Sequence, residues 1–131
     1  MTDEDRRLKR ILSATRVIGL VGASANPVRP SHFVGRYLAG RGYRVIPVNP
    51  GLAPQPLFGE AAVASVERLD PRVDMLDIFR RSDQVTPIVA AALDALPGLR
   101  TLWMQIGVVT AEAADLARAR GVEVVMDRCP K

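Results

Sequence analysis

Apolar residues in the chain alternate between helical spacing and short continuous runs. Leu8, Ile11 and Leu12 recur at helical spacing within residues 2–15, which predicts an amphipathic helix. Its first turn is acidic, which suits the positive end of a helix dipole. Residues 16–21 then read Arg-Val-Ile-Gly-Leu-Val, a short β-branched run. Such a run is typical of a strand buried on both faces of a parallel sheet.

The same alternation continues through the rest of the sequence. Further helices are predicted over residues 31–41, 85–96 and 110–120, and further strands over residues 43–48, 73–79, 100–105 and 122–126. Ser31 and Thr110 are expected to be helix caps, and Gly42 is expected to end the second helix. Thr86 and Pro87 form a plausible cap and first helical position.

The segment between the second and third long strands has little periodicity. Residues 49–59 contain three prolines and two glycines, which predicts a loop. Residues 61–69 are weakly patterned and predict a short strand and a helical turn. The chain is therefore expected to be one α/β domain over residues 1–131, with the first helix packed on it. Its predicted fold is a Rossmann-like, doubly wound, mainly parallel sheet of about five strands flanked by helices.

Composition limits the class of protein further. With 131 residues, 48% of them hydrophobic, the chain can form a core without a disulfide or a structural metal. Cys129 and His32 are the only residues of their types, so they cannot complete a four-ligand zinc site. No apolar run approaches the ~20 residues of a membrane span, and the acidic N-terminus does not resemble a secretory signal. A cytoplasmic protein is therefore expected.

Charge indicates an anionic partner. The net charge is +4, and arginines scattered along the chain carry most of the positive charge. Aromatic residues make up only 5% of the chain, and no nucleic-acid-binding signature is present, so we do not expect DNA or RNA as a partner. Arginines suit the phosphates of a small ligand equally well.

In a parallel sheet, ligands bind beyond the carboxyl ends of the strands, so the loops that follow the strands hold the candidate residues. The first of these loops contains Gly22, Ala23 and Ser24, small residues that let a phosphate approach the backbone, with Arg29 close in sequence. A tight turn alone would also need small residues. The dinucleotide pattern G-x-G-x-x-G is missing, and Asn49 stands where an acidic residue would bind a ribose, which disfavours NAD. A Walker phosphate loop is missing as well.

Five segments together resemble a known family: residues 21–24, 42–50, 73–80, 103–107 and 125–129. They are similar to the small, stand-alone coenzyme A-binding domain proteins, which are related to the N-terminal domain of the succinyl-CoA synthetase alpha subunit. The resemblance implies coenzyme A (CoA) or an acyl-CoA as the ligand, with its nucleotide end at the carboxyl edge of the sheet. The candidate binding residues are Gly22, Ala23, Ser24, Arg29, Pro30, Val48, Asn49, Pro50, Phe79, Arg80, Gln105 and Gly107.

The resemblance also implies what each part of the site contacts. Residues 22–24 would meet the phosphates, and residues 48–50 would flank the adenine and the ribose. Phe79 and Arg80 would line the next wall, whereas Gln105 and Gly107 would lie nearer the pantetheine arm. The related synthetases use a phosphorylated histidine in a second domain, and we do not expect such a domain in these 131 residues.

Several other polar or reactive residues have plain structural interpretations. His32 is interpreted as a capping or surface histidine, Cys129 as a small buried cysteine, and Trp103 as a core residue. Asp74 and Asp77 lie three apart in one predicted strand, so they should face opposite sides and make a poor acid–base pair. Asp77 is a candidate for holding a loop.

The predicted function is therefore binding of CoA or acyl-CoA without catalysis by this chain alone. Two alternatives remain open: an NAD(P)-binding, reductase-like protein, and a subunit of a CoA ligase that needs a partner chain. The sequence identifies neither the acyl group nor the role of CoA, and it leaves a protein partner or a homodimer undecided.

Overall fold

A computed structural model describes residues 2–130 and shows helices alternating with strands. The helices are α1 (Asp3–Ala14), α2 (Pro30–Gly40), α3 (Ser82–Ala95) and α4 (Ala111–Ala119), with a 3₁₀ turn at Val66–Arg68. The strands are β1 (Val17–Val21), β2 (Arg44–Val48), β3 (Pro56–Leu57), β4 (Glu60–Ala61), β5 (Met75–Ile78), β6 (Thr101–Met104) and β7 (Glu123–Val125). Within the described range, no helix combines the length and the apolar character that crossing a membrane requires.

Five strands form one parallel sheet in the order β2-β1-β5-β6-β7. The chain first extends the sheet from β1 to β2 and then returns past β1 to β5, so the direction of growth reverses between β1 and β5. Loops that leave these two strands diverge, which opens a crevice at their carboxyl ends. The predicted Rossmann-like, doubly wound α/β sheet is confirmed.

Each face of the sheet is covered by two helices, and this explains the continuous apolar runs in the strands. One face packs against α3 and α4 through Leu76, Ile78, Leu102 and Met104. The other packs against α1 and α2 through Ile18, Leu20, Met75 and Trp103. In α1, Ile11 is 3% exposed, and Arg7 and Arg10 bind Glu123 at 3.1 and 2.9 Å. The N-terminal helix is therefore joined to the strand β7.

Two helices begin at residues that differ from the prediction. Helix α3 begins at Ser82, so Pro87 lies inside it and Thr86 is not its cap. Val85, which the predicted helix over residues 85–96 already included, is fully buried on the apolar face, and such packing outweighs the local start signal at Thr86. In α2, Ser31 does not cap the helix, because Pro30 occupies the first helical position. The predicted cap at Thr110 and the helix end before Gly42 are confirmed.

Asp74 does not belong to the strand that was predicted to contain it. Strand β5 begins at Met75, and the Asp74 carboxylate accepts hydrogen bonds from the backbone N–H groups of Arg16 and Val17, each at 3.0 Å. Because these contacts lie at the amino end of β1, Asp74 joins the two strands there. The prediction that Asp74 shares a strand with Asp77 is therefore wrong by one residue, and the expectation that the two make a poor acid–base pair stays a prediction.

The predicted loop over residues 49–59 contains part of a small hairpin. Strands β3 and β4 pair antiparallel across Phe58 and Gly59, which have φ angles of +57° and +82°. Two residues with positive φ are typical of a tight type I′ hairpin turn. The Phe58 ring lies against Gly35 of α2, where any side chain would collide with it, and its centroid lies 5.8 Å from that of His32. Strands of two residues are too short to show alternation in a sequence.

Candidate functional site

Two adjoining clefts lie at the carboxyl edge of the sheet, where the sheet reverses its direction of growth. Their volumes are about 860 Å³ and about 340 Å³, and both contact Gly22, Asn49 and Arg80. All the candidate binding residues line at least one of them. The larger cleft is lined by Gly22, Ala23, Ser24, Arg29, Pro30, Asn49, Phe79, Arg80, Gln105 and Gly107. The smaller one adds Val48 and Pro50.

The loop after β1 passes very close to neighbouring backbone. Gly22 has a φ of +87°, and a β-carbon there would collide with the carbonyl oxygen of Phe79. The N–H groups of Gly22 and Ala23 both point to the carbonyl oxygen of Val48, at 3.0 and 3.4 Å. Because both amide donors already have a partner, these two residues help a ligand to approach only by being small.

Ser24 and His32 give the same loop a fixed shape. The Ser24 hydroxyl accepts a hydrogen bond from the Asn26 N–H at 3.1 Å, and its own hydrogen can still be donated. The His32 Nδ1 lies 2.9 Å from the carbonyl oxygen of Ser24. Since a carbonyl can only accept, Nδ1 carries the proton. His32 is buried, so it is a structural residue beneath the loop and not a surface histidine.

Asn49 connects the loops that follow β1 and β2. Its Nδ2 donates to the carbonyl oxygen of Ala23 at 2.7 Å, and its Oδ1 accepts from the Gly51 N–H at 2.8 Å. The Nδ2 end of the amide therefore joins the two loops, and the Oδ1 end fixes the turn within the loop after β2. An acidic residue at this position, as in dinucleotide-binding sites, would have no N–H group to donate to the carbonyl oxygen of Ala23.

The electrostatic character of the larger cleft is positive. Arg29, Arg80 and Arg81 line it, and its described lining contains no aspartate or glutamate. Helices α2 and α3 also begin beside it, and the N-terminal end of a helix favours a negative charge. The arrangement suits an anion with several charged oxygens, such as a diphosphate.

A buried polar pair lies at the inner end of the cleft. Gln105 follows β6 and lines the cleft although only 4% of its surface is exposed. Its Nε2 donates to Oδ1 of Asp77 at 2.6 Å. Asp77 is completely buried, and burial raises the pKa of its carboxyl to about 7, against a smaller opposing effect of the Gln105 hydrogen bond. Asp77 thus holds the loop after β6, as the sequence suggested.

Trp103 and Cys129 have different environments. Trp103 is 1% exposed in the core, as predicted, and its Nε1 donates to the carbonyl oxygen of Arg128 at 2.9 Å. This bond holds the C-terminal segment at the edge of the sheet, where Cys129 is half-buried and lines the larger cleft. The prediction of a buried cysteine is therefore wrong. Within residues 2–130, no group of His, Cys, Asp and Glu side chains could hold a metal ion.

Comparison with a family model shows which family this chain belongs to. A family model described as the CoA binding domain matches residues 16–131. The chain belongs to this CoA-binding family. The resemblance recognised from five sequence segments is confirmed.

Relatives of this CoA-binding domain match it along most of their own length. The Bacillus subtilis (strain 168) protein YneT is 35% identical over 124 residues, which cover 95% of this chain and 89% of YneT. The solved structure of cell-free ID.343 from Thermus thermophilus is 39% identical with a TM-score of 0.89, covering 98% of this chain and 93% of that one. A hypothetical protein from Pyrococcus horikoshii OT3 is 32% identical with a TM-score of 0.87, covering 99% and 87%.

A larger enzyme shares the fold of this CoA-binding domain. The dinucleotide forming acetyl-coenzyme A synthetase 1 of Ca. Korarchaeum cryptofilum, solved with phosphate and ADP, has a TM-score of 0.69 and 23% identity. The match covers 89% of the present chain and 26% of the synthetase chain. At this identity the comparison shows a common fold.

The sequence-based list for the CoA-binding domain omitted several residues that line the larger cleft. They are Ser31, Phe33, Val34, Arg81, Ile106, Val108 and Cys129. Arg81 was detectable, because it directly follows Arg80 in the loop after β5. Phe33 and Val34 belong to the apolar face of α2, and nothing in their spacing separates a cleft wall from a core.

Proposed function

We propose that this chain binds CoA or an acyl-CoA, with the nucleotide end in the two clefts. The observation that carries the proposal is the larger cleft, which combines three arginines with an absence of carboxylates in its described lining, where the sheet reverses direction. Membership of the CoA-binding family supports the same ligand. An anionic diphosphate is what such a cleft should favour.

The shapes of the two clefts suggest an orientation for the ligand. The smaller cleft has apolar walls that include Val48, Pro50 and Ile88, which suit the flat faces of an adenine. The phosphates would lie near Ser24 and the arginines of the larger cleft. The pantetheine arm would then run toward the loop after β6.

Binding without catalysis is part of the proposal. The described lining of the larger cleft includes no carboxylate and no histidine that could transfer a proton. Reactions of a bound CoA would in that case need a second protein.

Thermal unfolding with different ligands tests the proposal. CoA at 100 times its dissociation constant should add about 2.7 kcal/mol to the free energy of unfolding and raise the Tm accordingly. We expect a larger shift with CoA than with ADP, NAD or NADP at equal concentration. A shift with NAD or NADP and none with CoA would contradict the proposal and favour a reductase-like protein.

Arg80→Ala is expected to weaken CoA binding about tenfold, because a charge-assisted hydrogen bond to a phosphate contributes roughly 1.5 kcal/mol. Arg100→Ala is the matched control, since it removes the same charge before β6, at the opposite edge of the sheet. Isothermal titration should show normal affinity in the control. Equal losses in both variants would mean that only the overall charge matters.

A further inference from the structure

Asp77 occupies an unusual place for a carboxyl group. It lies in β5, in register with Leu20 of β1 and Trp103 of β6, and it is completely buried. Its Oδ1 has one hydrogen-bond partner, Gln105, and its Oδ2 has none among the described residues. Burying a carboxyl group while one of its two oxygens lacks a hydrogen bond lowers the stability of the fold. A residue placed at such a cost to the fold is a candidate for a role in function.

The hydrogen bond between the two residues determines which end of the Gln105 amide faces the ligand. Oδ1 of Asp77 accepts from the NH₂ group of Gln105 as a carboxylate, and it accepts equally in the neutral acid when the proton is on Oδ2, the oxygen without a partner among the described residues. The distance of 2.6 Å between Nε2 and Oδ1 fits a strong hydrogen bond. With Nε2 directed into the sheet, the Oε1 atom is the part of the amide left for the cleft, which Gln105 lines.

We propose that Asp77 is a positioning residue that turns the Gln105 carbonyl oxygen toward the cleft. At the inner end of the cleft, this oxygen accepts a hydrogen bond from an N–H donor of the ligand. The inference rests on the proposed function. Phosphates have only acceptor oxygens at the pH of the cell, so an exposed Oε1 does not suit them. Gln105 lines the larger cleft and not the smaller one, which separates it from the proposed adenine position. The matching donors of CoA are the two secondary amides of its pantetheine arm.

Comparing CoA with 3′-phospho-ADP tests this assignment, because the second compound is CoA without the pantetheine arm. In Asp77→Leu, which removes the acceptor and fills its space, the affinity for CoA should fall about tenfold. The affinity for 3′-phospho-ADP should stay within about twofold. Isothermal titration measures both. Equal losses for the two ligands, or an unchanged affinity for CoA, would overturn the inference.

If Asp77→Leu does not fold, Gln105→Leu tests the same contact from the side of the cleft while the native residue stays in the sheet. It should show the same selective loss for CoA. When both single variants fold, the double variant should bind CoA no more weakly than Gln105→Leu, since Asp77 acts through Gln105. An additive loss would contradict a positioning role. If the native chain binds neither ligand, the proposed function fails first, and the inference fails with it.

Discussion

Asp77→Asn is expected to gain stability relative to the native chain as the pH rises, by about 4 kcal/mol in total between pH 4 and pH 8. Burial raises the pKa of Asp77 from 3.8 to about 7 in the folded chain. Below the lower value, the carboxyl is protonated in both the folded and the unfolded states. Between the two values, unfolding releases a proton, so the native chain loses about 1.4 kcal/mol of stability for each pH unit. Asparagine does not titrate and escapes this loss.

Urea unfolding of the native chain and the variant at several pH values measures this difference. Asp115→Asn is a suitable control, because Asp115 lies on the exposed side of α4 and its replacement also removes one carboxylate. We expect the control to follow the native profile. Parallel profiles for Asp77→Asn and the native chain would show that the buried carboxyl does not titrate in this range.

Gly22→Ala is expected to destabilise the fold by about 3 kcal/mol and to reduce CoA binding strongly. Two effects add up: a positive φ is unfavourable for alanine, and the new methyl group collides with the carbonyl oxygen of Phe79. The methyl group would also lie 3.1 Å from Cδ of Arg80. Relief of the collision must move the loop after β5, which carries the proposed phosphate contact.

Gly42→Ala separates these two effects. Gly42 also has a positive φ, of +99°, but a β-carbon there meets nothing within 4 Å. It lies before β2, at the amino edge of the sheet and away from the clefts. The control should lose only the backbone contribution, about 1 to 2 kcal/mol, and should bind CoA normally. Equal destabilisation by both substitutions would show that the loop after β5 absorbs the added methyl group.

Most of the fold and of the candidate site was predicted from two things: the apolar runs of the strands, and the rule that ligands bind beyond the carboxyl ends of parallel strands. Short β-branched segments between amphipathic helices predict a buried parallel sheet, and a parallel sheet brings its carboxyl-end loops together. This is why residues as distant in sequence as Ser24, Asn49 and Gln105 could be assigned to one edge. The structure places them along the same pair of clefts.

What the sequence could not reveal depends on contacts between distant segments. The burial of Val85 overrides the start signal at Thr86, and the position of Cys129 follows from the bond between Trp103 and the backbone of Arg128. The partner of Asp77 was also hidden, because Gln105 is 28 positions away along the chain. Such contacts have no periodic signature.

The amide of Asn49 has a consequence for the thermodynamics of ligand capture. Because its Nδ2 already joins the loops after β1 and β2 and its Oδ1 fixes the turn after β2, a ligand does not have to order these loops, and the entropy lost on binding is correspondingly small. The heat-capacity change on association should then reflect only the surface that the ligand covers, without a contribution from local folding. The loops that bind the ligand are therefore fixed when the chain folds. A substitution that loosens the joined loops can weaken the complex without touching the ligand.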